Sequence, residues 1–338
     1  MSLPPVEIPI GAIRFNSDSQ KMEYWNGLTW IQIHTFNPDL DGGGRGQNMA
    51  GTDFTQTIDY VTISTSGNAI DFGDLIARCI LVSGGSNSTR SVVYGGRLHP
   101  AGSPQSNRIE YVTFSSLGNS TDFGDLLKTN DYGCIGNLGN ETRGMIASGT
   151  NYAPATDMDE DIDYITYAST GNALNFGETS SNHSQGSSVF SSPTRGVIAG
   201  CSAAGNVMEY VTITTLGNAR DFGDLSYASG GGSAGAANSV VGLVGNGYIS
   251  ADISTIVKVT ISTTGNAYEF GDTTDARRWG AGMSSQTRAV WTGGYAPGVV
   301  NTMDYTSIAT GGDATDFGDM TYASGGHTSN SNCHGGLG

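Results

Sequence analysis

The sequence predicts an all-β fold, a six-bladed β-propeller preceded by a small N-terminal β-meander. Three observations predict it. A unit of about 50 residues repeats six times, the composition suits short strands joined by tight turns, and the two ends of the repeat region carry complementary fragments of one unit.

The first unit is read in "IDYVTISTSGNAIDFGDL", residues 58–75. Copies without internal gaps follow at 109–126, 162–179, 208–225, 256–273 and 303–320. The anchoring phenylalanines, Phe72, Phe123, Phe176, Phe222, Phe270 and Phe317, are spaced 51, 53, 46, 48 and 47 residues apart. In each copy the segment before Gly-Asn is rich in β-branched and aromatic residues and short enough for a strand. Its apolar side chains occupy both alternation sets, Ile58 with Tyr60 and Val61 with Ile63, so both faces should be covered. Gly-Asn reads as the hairpin turn, and the Phe marks the returning strand. Between copies lie two more strand-like pieces around a Thr-Arg turn, as in "CILVSGGSNSTRSVVYGGR". Four strands per unit result.

Glycine, 51 of 338 residues, supplies the backbone freedom that so many turns require. Closure is read from the ends. "GRGQNMAG", residues 44–51, looks like a second strand without a first, and "YASGGHTSNSNCHGG" near the C-terminus looks like a first strand without a blade. Pairing them leaves no sheet edge open. Residues 1–40 lack the repeat; "GAIRFNSDSQKMEYWNGLTWIQI" predicts strands at 12–15, 21–25 and 28–33, with turns at Ser17-Asp18 and Asn26-Gly27. Domains are therefore expected at 1–40, an attachment or oligomerisation segment, and 41–338, the propeller.

Charge narrows the partners. The formal net charge is −16, with no run of Lys or Arg, so neither nucleic acid nor an anionic membrane surface is expected. No apolar run approaches a membrane span, and the opening "MSLPPVEIPIGAIRF" lacks the pattern of a signal peptide. The four cysteines show no CxxC spacing and are expected to be free thiols.

The Asp-Phe-Gly tripeptide suggests kinase chemistry, but no glycine-rich nucleotide loop, strand lysine or HRD-like loop accompanies it. The acids two residues after each Phe (Asp74, Asp125, Glu178, Asp224, Asp272 and Asp319) offer one carboxylate per blade, where calcium needs about six to eight converging oxygens. Each is expected to accept backbone N–H groups or to pair with an arginine such as Arg90, Arg143, Arg195 or Arg288. No metal, cofactor or catalytic residue is assigned, although calcium at these acids stays open. Function is instead expected where the copies differ. The variable connections gather Arg97, His99, Tyr152, Tyr248, Arg277, Arg278, Trp279 and Tyr295 on one face of the disc, a set suited to recognising sugar or protein.

The strand order resembles a kelch blade, with Phe where kelch repeats usually carry Trp. "STDFGDL" at Ser120 also matches part of the Asp-box hairpin of sialidase propellers. Taken together, the repeat, the leader "GAIRFNSDSQKMEYWNGLTW" and the ending "HGGLG" resemble tail-fibre or virion structural proteins of tailed bacteriophages, notably those of marine bacteria and cyanobacteria. That resemblance implies a non-enzymatic virion component, made in the host cytoplasm. Its rim loops would bind a host surface glycan or protein, and residues 1–40 would join it to other virion proteins, with homo-oligomers plausible by analogy. A capsid or tail decoration protein with a mainly structural propeller is the alternative, and a glycan-active enzyme the third.

Overall fold

The computed structural model describes residues 8–16, 21–32, 44–100, 105–151, 157–183, 186–201 and 203–338. The chain divides into two compact units, Met1–Gly42 and Gly43–Gly338.

The first unit is a three-stranded antiparallel meander of Ile13–Asn16, Lys21–Trp25 and Trp30–Gln32. Asn26 forms the second turn by accepting the N–H groups of Leu28 and Thr29, with Gly27 at φ 97°. The turn expected at Ser17-Asp18 lies outside the described residues. Register splits the two faces. Arg14 pairs with Glu23 and lies over the Trp30 ring, which packs on Trp25. Ile13, Phe15, Met22, Tyr24 and Ile31 share the other face, and all are exposed.

Among the described residues the second unit holds six blade sheets, largely antiparallel and each starting near a common axis, and a two-stranded ribbon of Cys79–Ile80 and Arg97–Leu98. The first blade is made of Thr328–Ser331, Arg45–Met49, Thr57–Thr62 and Ile70–Asp74, in that order. Its inner strand thus comes from the far end of the chain, with Thr328 opposite Met49 and Ser331 opposite Gly46. The second, fifth and sixth blades have four antiparallel strands each, consecutive in the fifth and sixth and interrupted in the second by Arg97–Leu98, which pairs with Cys79–Ile80. The third and fourth depart from this rule. Ile135–Gly136, the innermost strand of the third repeat, leaves its own sheet and pairs in parallel with Ser188–Ser191 of the fourth blade. The inner strands Ser83–Ser86, Ala234–Ala237 and Ala281–Ser284 are glycine- and alanine-rich, which leaves room for a strand on the axis. Gly136 fills that room at φ 131°, where a Cβ would stand 2.0 Å from the Val189 carbonyl oxygen.

The apolar core is divided among the spaces between blades. Phe72, Ile58 and Leu75 of the first blade pack with Val93 and Val112 of the second, and similar clusters recur around the disc. Five of the six anchoring phenylalanines meet a tyrosine of their own blade edge-on, as Phe72 meets Tyr60 at 5.9 Å.

The Gly-Asn pair does not make the hairpin turn. The chain reverses just before it, where Thr65 N–H donates to Thr62 O, and Gly67-Asn68 runs extended onto the neighbouring blade. There the N–H groups of Gly67 and Ala69 donate to Phe317 O and Asp319 O at 2.7 and 2.8 Å, and Asn68 accepts the Asp319 N–H. The same latch joins the second blade to the first, the third to the second, and so on around the circle. It also covers the outer strand's free edge.

The arginines depart from expectation too. Arg45, Arg90, Arg143, Arg195 and Arg288 pair with none of the acids of the Asp74 series. Each lies over its own blade's tyrosine and donates Nη1 to a carbonyl of the next blade, as Arg143 does over Tyr164 to Ile213 O. The backbone N–H of each Asp74-series residue is what the latch engages. A repeated set of carboxylates that accept backbone N–H groups belongs instead to the acid before the tyrosine. Asp59, Glu110, Asp163, Glu209 and Asp304 each take the N–H of the residue four positions after the anchoring Phe of the preceding blade. In the fifth blade Val257 replaces that acid, Val241 replaces the arginine, and Lys258 lies over Tyr268 and Phe270 instead.

Candidate functional site

The connections entering the inner strands converge at one end of the axis. Six residues there form a closed ring of backbone hydrogen bonds. Leu81 N–H donates to Gly326 O, Gly326 to Trp279, Trp279 to Gly232, Gly232 to Gly186, Gly186 to Tyr132, and Tyr132 back to Leu81, over 2.7–3.2 Å. All six have positive φ: 60° at Leu81, 53° at Tyr132, 78° at Gly186, 72° at Gly232, 56° at Trp279 and 66° at Gly326. This conformation is easy for glycine and costs a bulky residue on the order of 1 kcal/mol or more. Three equivalent positions hold glycine, and three hold large side chains in spite of that cost.

Those three side chains line one cavity of about 360 Å³, together with Phe54, Ile80, Arg97, Arg278, Tyr295 and Gly325-Gly326. Below it the ring and the Ile135–Gly136 strand occupy the axis. At the far end, the C-terminal turn Gly335–Leu337 packs in; a Cβ on Gly335 would stand 2.3 Å from Asn238 O, and His334 Nε2 contacts Ser86 O at 2.9 Å. The cavity is blind.

Its walls are aromatic and its polar groups are held from behind. Trp279 and Tyr132 meet edge-on at 5.5 Å. Arg97 lies 5.5 Å from the Tyr132 ring centre and gives Nε and Nη2 to one oxygen of Asp131, at 3.0 and 2.6 Å. The other Asp131 oxygen accepts Gln105 Nε2. Burial raises the Asp131 carboxyl above its ordinary value, and Arg97 and Gln105 pull it back. Arg278 lies over Tyr248 at 5.1 Å and pairs with Asp252 at 2.6 Å.

Four of the residues singled out from sequence, Arg97, Arg278, Trp279 and Tyr295, are therefore brought together. Tyr248 supports Arg278, and exposed His99 stands edge-on to Phe54 at 5.7 Å. Tyr152 lies outside the described residues. Arg277 is corrected: it is fully buried and pairs with Asp304, donating as well to Trp291 O, and so belongs to the scaffold. Its neighbour Arg278 faces outward because successive strand residues alternate sides. Phe54, Leu81 and Tyr132 were missed. Comparing the position two or three residues before each inner strand, three glycines against Leu, Tyr and Trp, is the signal that would have found two of them.

Among the described residues, no three His, Cys, Asp or Glu side chains converge on a point. All four cysteines are buried. Burial raises the thiols of Cys79 to about 12 and Cys134 to about 11, away from reactive thiolate.

No protein-family model matches the sequence. No curated protein matches it either. Among solved structures the chain is similar to that titled "Structure of YjhT", with a TM-score of 0.59 over 81% of this chain and 97% of that one. At 8% sequence identity the likeness is one of fold.

Proposed function

We propose that the protein is a structural component of a tailed-phage virion, a tail fibre or related appendage, whose propeller binds the host cell surface through the axial cavity face. The virion assignment rests on the resemblance of the repeat, leader and ending to such proteins. The binding assignment rests on one observation: at three of six equivalent ring positions, bulky side chains are held at positive φ, and all three face the same cavity. A scaffold would be served better by glycine there, and strain of this kind gathers at ligand sites. The exposed apolar face of the N-terminal meander supports attachment to other virion proteins, since a three-stranded sheet is marginal until such a face is covered.

The test is binding of the fluorescently labelled full-length protein, displayed multivalently on beads, to host cells, together with antibody labelling of intact particles. Decoration of an appendage tip and saturable cell binding are expected. Particles that carry the protein while the beads never bind host cells would leave only the decoration role.

A further inference from the structure

The cavity's chemistry points to a ligand class, and this step rests on the binding role just proposed. We infer that the axial cavity takes the terminal, uncharged pyranose of a glycan, stacked on Trp279, and discriminates against carboxylated or sulfated sugars.

The walls come first. Phe54, Tyr132, Trp279 and Tyr295 surround the space with aromatic rings, each half-buried, so they keep a face for the C–H surface of a sugar ring. Trp279 is the most constrained: its backbone N–H and C=O are both tied into the hydrogen-bonded ring, and its indole packs on Tyr132 and over the Gly186 backbone. It is a rigid platform.

Charge comes next. An anion-binding pocket needs unbalanced positive charge or converging N–H groups. Here each guanidinium has a carboxylate behind it, Asp131 for Arg97 and Asp252 for Arg278, so the two pairs sum to zero in a chain of net charge −16. The floor offers no nest either, because the N–H groups of Leu81, Tyr132, Trp279 and Gly326 are all used within the ring. Their carbonyl oxygens accept one bond each there, and a carbonyl oxygen has a second lone pair. Guanidinium donors beside carbonyl acceptors suit hydroxyl groups, which both donate and accept, whereas a desolvated carboxylate would meet acceptors without a compensating charge.

Size and shape decide the rest. A volume of about 360 Å³ lies at the small end of ligand pockets, enough for one sugar ring and part of a second. The blind floor admits the end of a chain and not its middle.

The experiment titrates the full-length protein with neutral methyl pyranosides (hexoses, deoxyhexoses and N-acetylhexosamines) and with hexuronic acids, by ligand-observed NMR and calorimetry at ~50 and ~300 mM salt. The expected result is a neutral glycoside binding with Kd of about 1 mM or tighter, changing less than about twofold with salt. Trp279→Gly should weaken it at least about tenfold. That variant keeps its fold, since glycine suits φ 56°, which circular dichroism and the melting temperature verify. Hexuronic acids binding as tightly as neutral glycosides, binding of no neutral glycoside, or neutral-sugar binding unchanged in Trp279→Gly overturns the inference. Cell binding separates the two claims. Host cells bound equally by wild type and Trp279→Gly would sink the sugar assignment and leave the binding role; a sugar bound in the cavity without any cell binding would do the reverse.

Discussion

Gly73 and Gly118 touch each other across the first and second blades, yet an alanine should be tolerated very differently at the two. At Gly73, φ 152°, a Cβ would stand 2.4 Å from the Gly118 carbonyl oxygen and 2.6 Å from its carbon. Both are backbone atoms of the latch and cannot swing aside. To relieve the overlap the latch must shift, and it is held there by three hydrogen bonds: Gly118 N–H to Phe72 O at 3.0 Å, Ser120 N–H to Asp74 O at 2.9 Å, and Asp74 N–H to Asn119 Oδ1 at 3.0 Å. At about 1 kcal/mol each, their loss comes to about 3 kcal/mol. At Gly118, φ 146°, a Cβ meets nothing within 4 Å, so Gly118→Ala carries only the backbone strain, about 1 kcal/mol, that Gly73→Ala shares. Gly73→Ala should therefore be less stable than Gly118→Ala by about 3 kcal/mol, a large part of a typical domain's stability of about 5–15 kcal/mol. Urea unfolding of the full-length variants, followed by tryptophan fluorescence and far-ultraviolet circular dichroism, measures the difference. Coincident midpoints for the two variants would refute the latch as the element joining the blades.

Acid should unfold the propeller from near neutrality downward. Burial lowers His327 from 6.5 to about 3 and His334 to about 4, so the unfolded chain takes up protons that the folded one refuses. Stability is fully present above pH 6.5 and falls by about 1.4 kcal/mol per pH unit for each histidine below it; a flat melting temperature from pH 7 to pH 4.5 contradicts this. Glu209 adds a second window: burial opposes its ionisation, but hydrogen bonds from His183 and Ser180 outweigh that and hold it at about 2, so its contribution is lost as pH falls from 4.5 to 2. In the fifth blade, the paired change Val241→Arg with Lys258→Tyr should restore the arginine-on-tyrosine stack of the other blades. A double-mutant cycle on urea midpoints is expected to show a favourable coupling of about 1 kcal/mol, and no coupling would show that the stack is incidental. Removing residues 327–338 strips the strand paired with Arg45–Met49 and opens an edge. Loss of the cooperative melt and binding of a hydrophobic dye are expected, whereas an unchanged melting temperature would mean the ring does not depend on this closure.

The all-β class and the recurrence of a strand-and-turn unit could be read from the amino-acid order, whereas the transfer of Ile135–Gly136 to the fourth blade could not. The reason is physical: strand propensity and turn chemistry act over a few residues, and sixfold repetition turns weak local signals into a strong one. Asn68 and Arg143 show where that reading stops. Each lies in a recognisable motif, but its partner is in the neighbouring blade, Asp319 for one and Ile213 for the other, and nothing local identifies the atom it will meet. Arg277 and Arg278 make the same point at the site, since adjacent, identical residues end up in the scaffold and in the cavity wall. The cavity itself depends on the sign of φ at Leu81, Tyr132 and Trp279. An isolated leucine, tyrosine or tryptophan avoids that sign; only closure of the six-membered ring imposes it and turns the three side chains toward one axis.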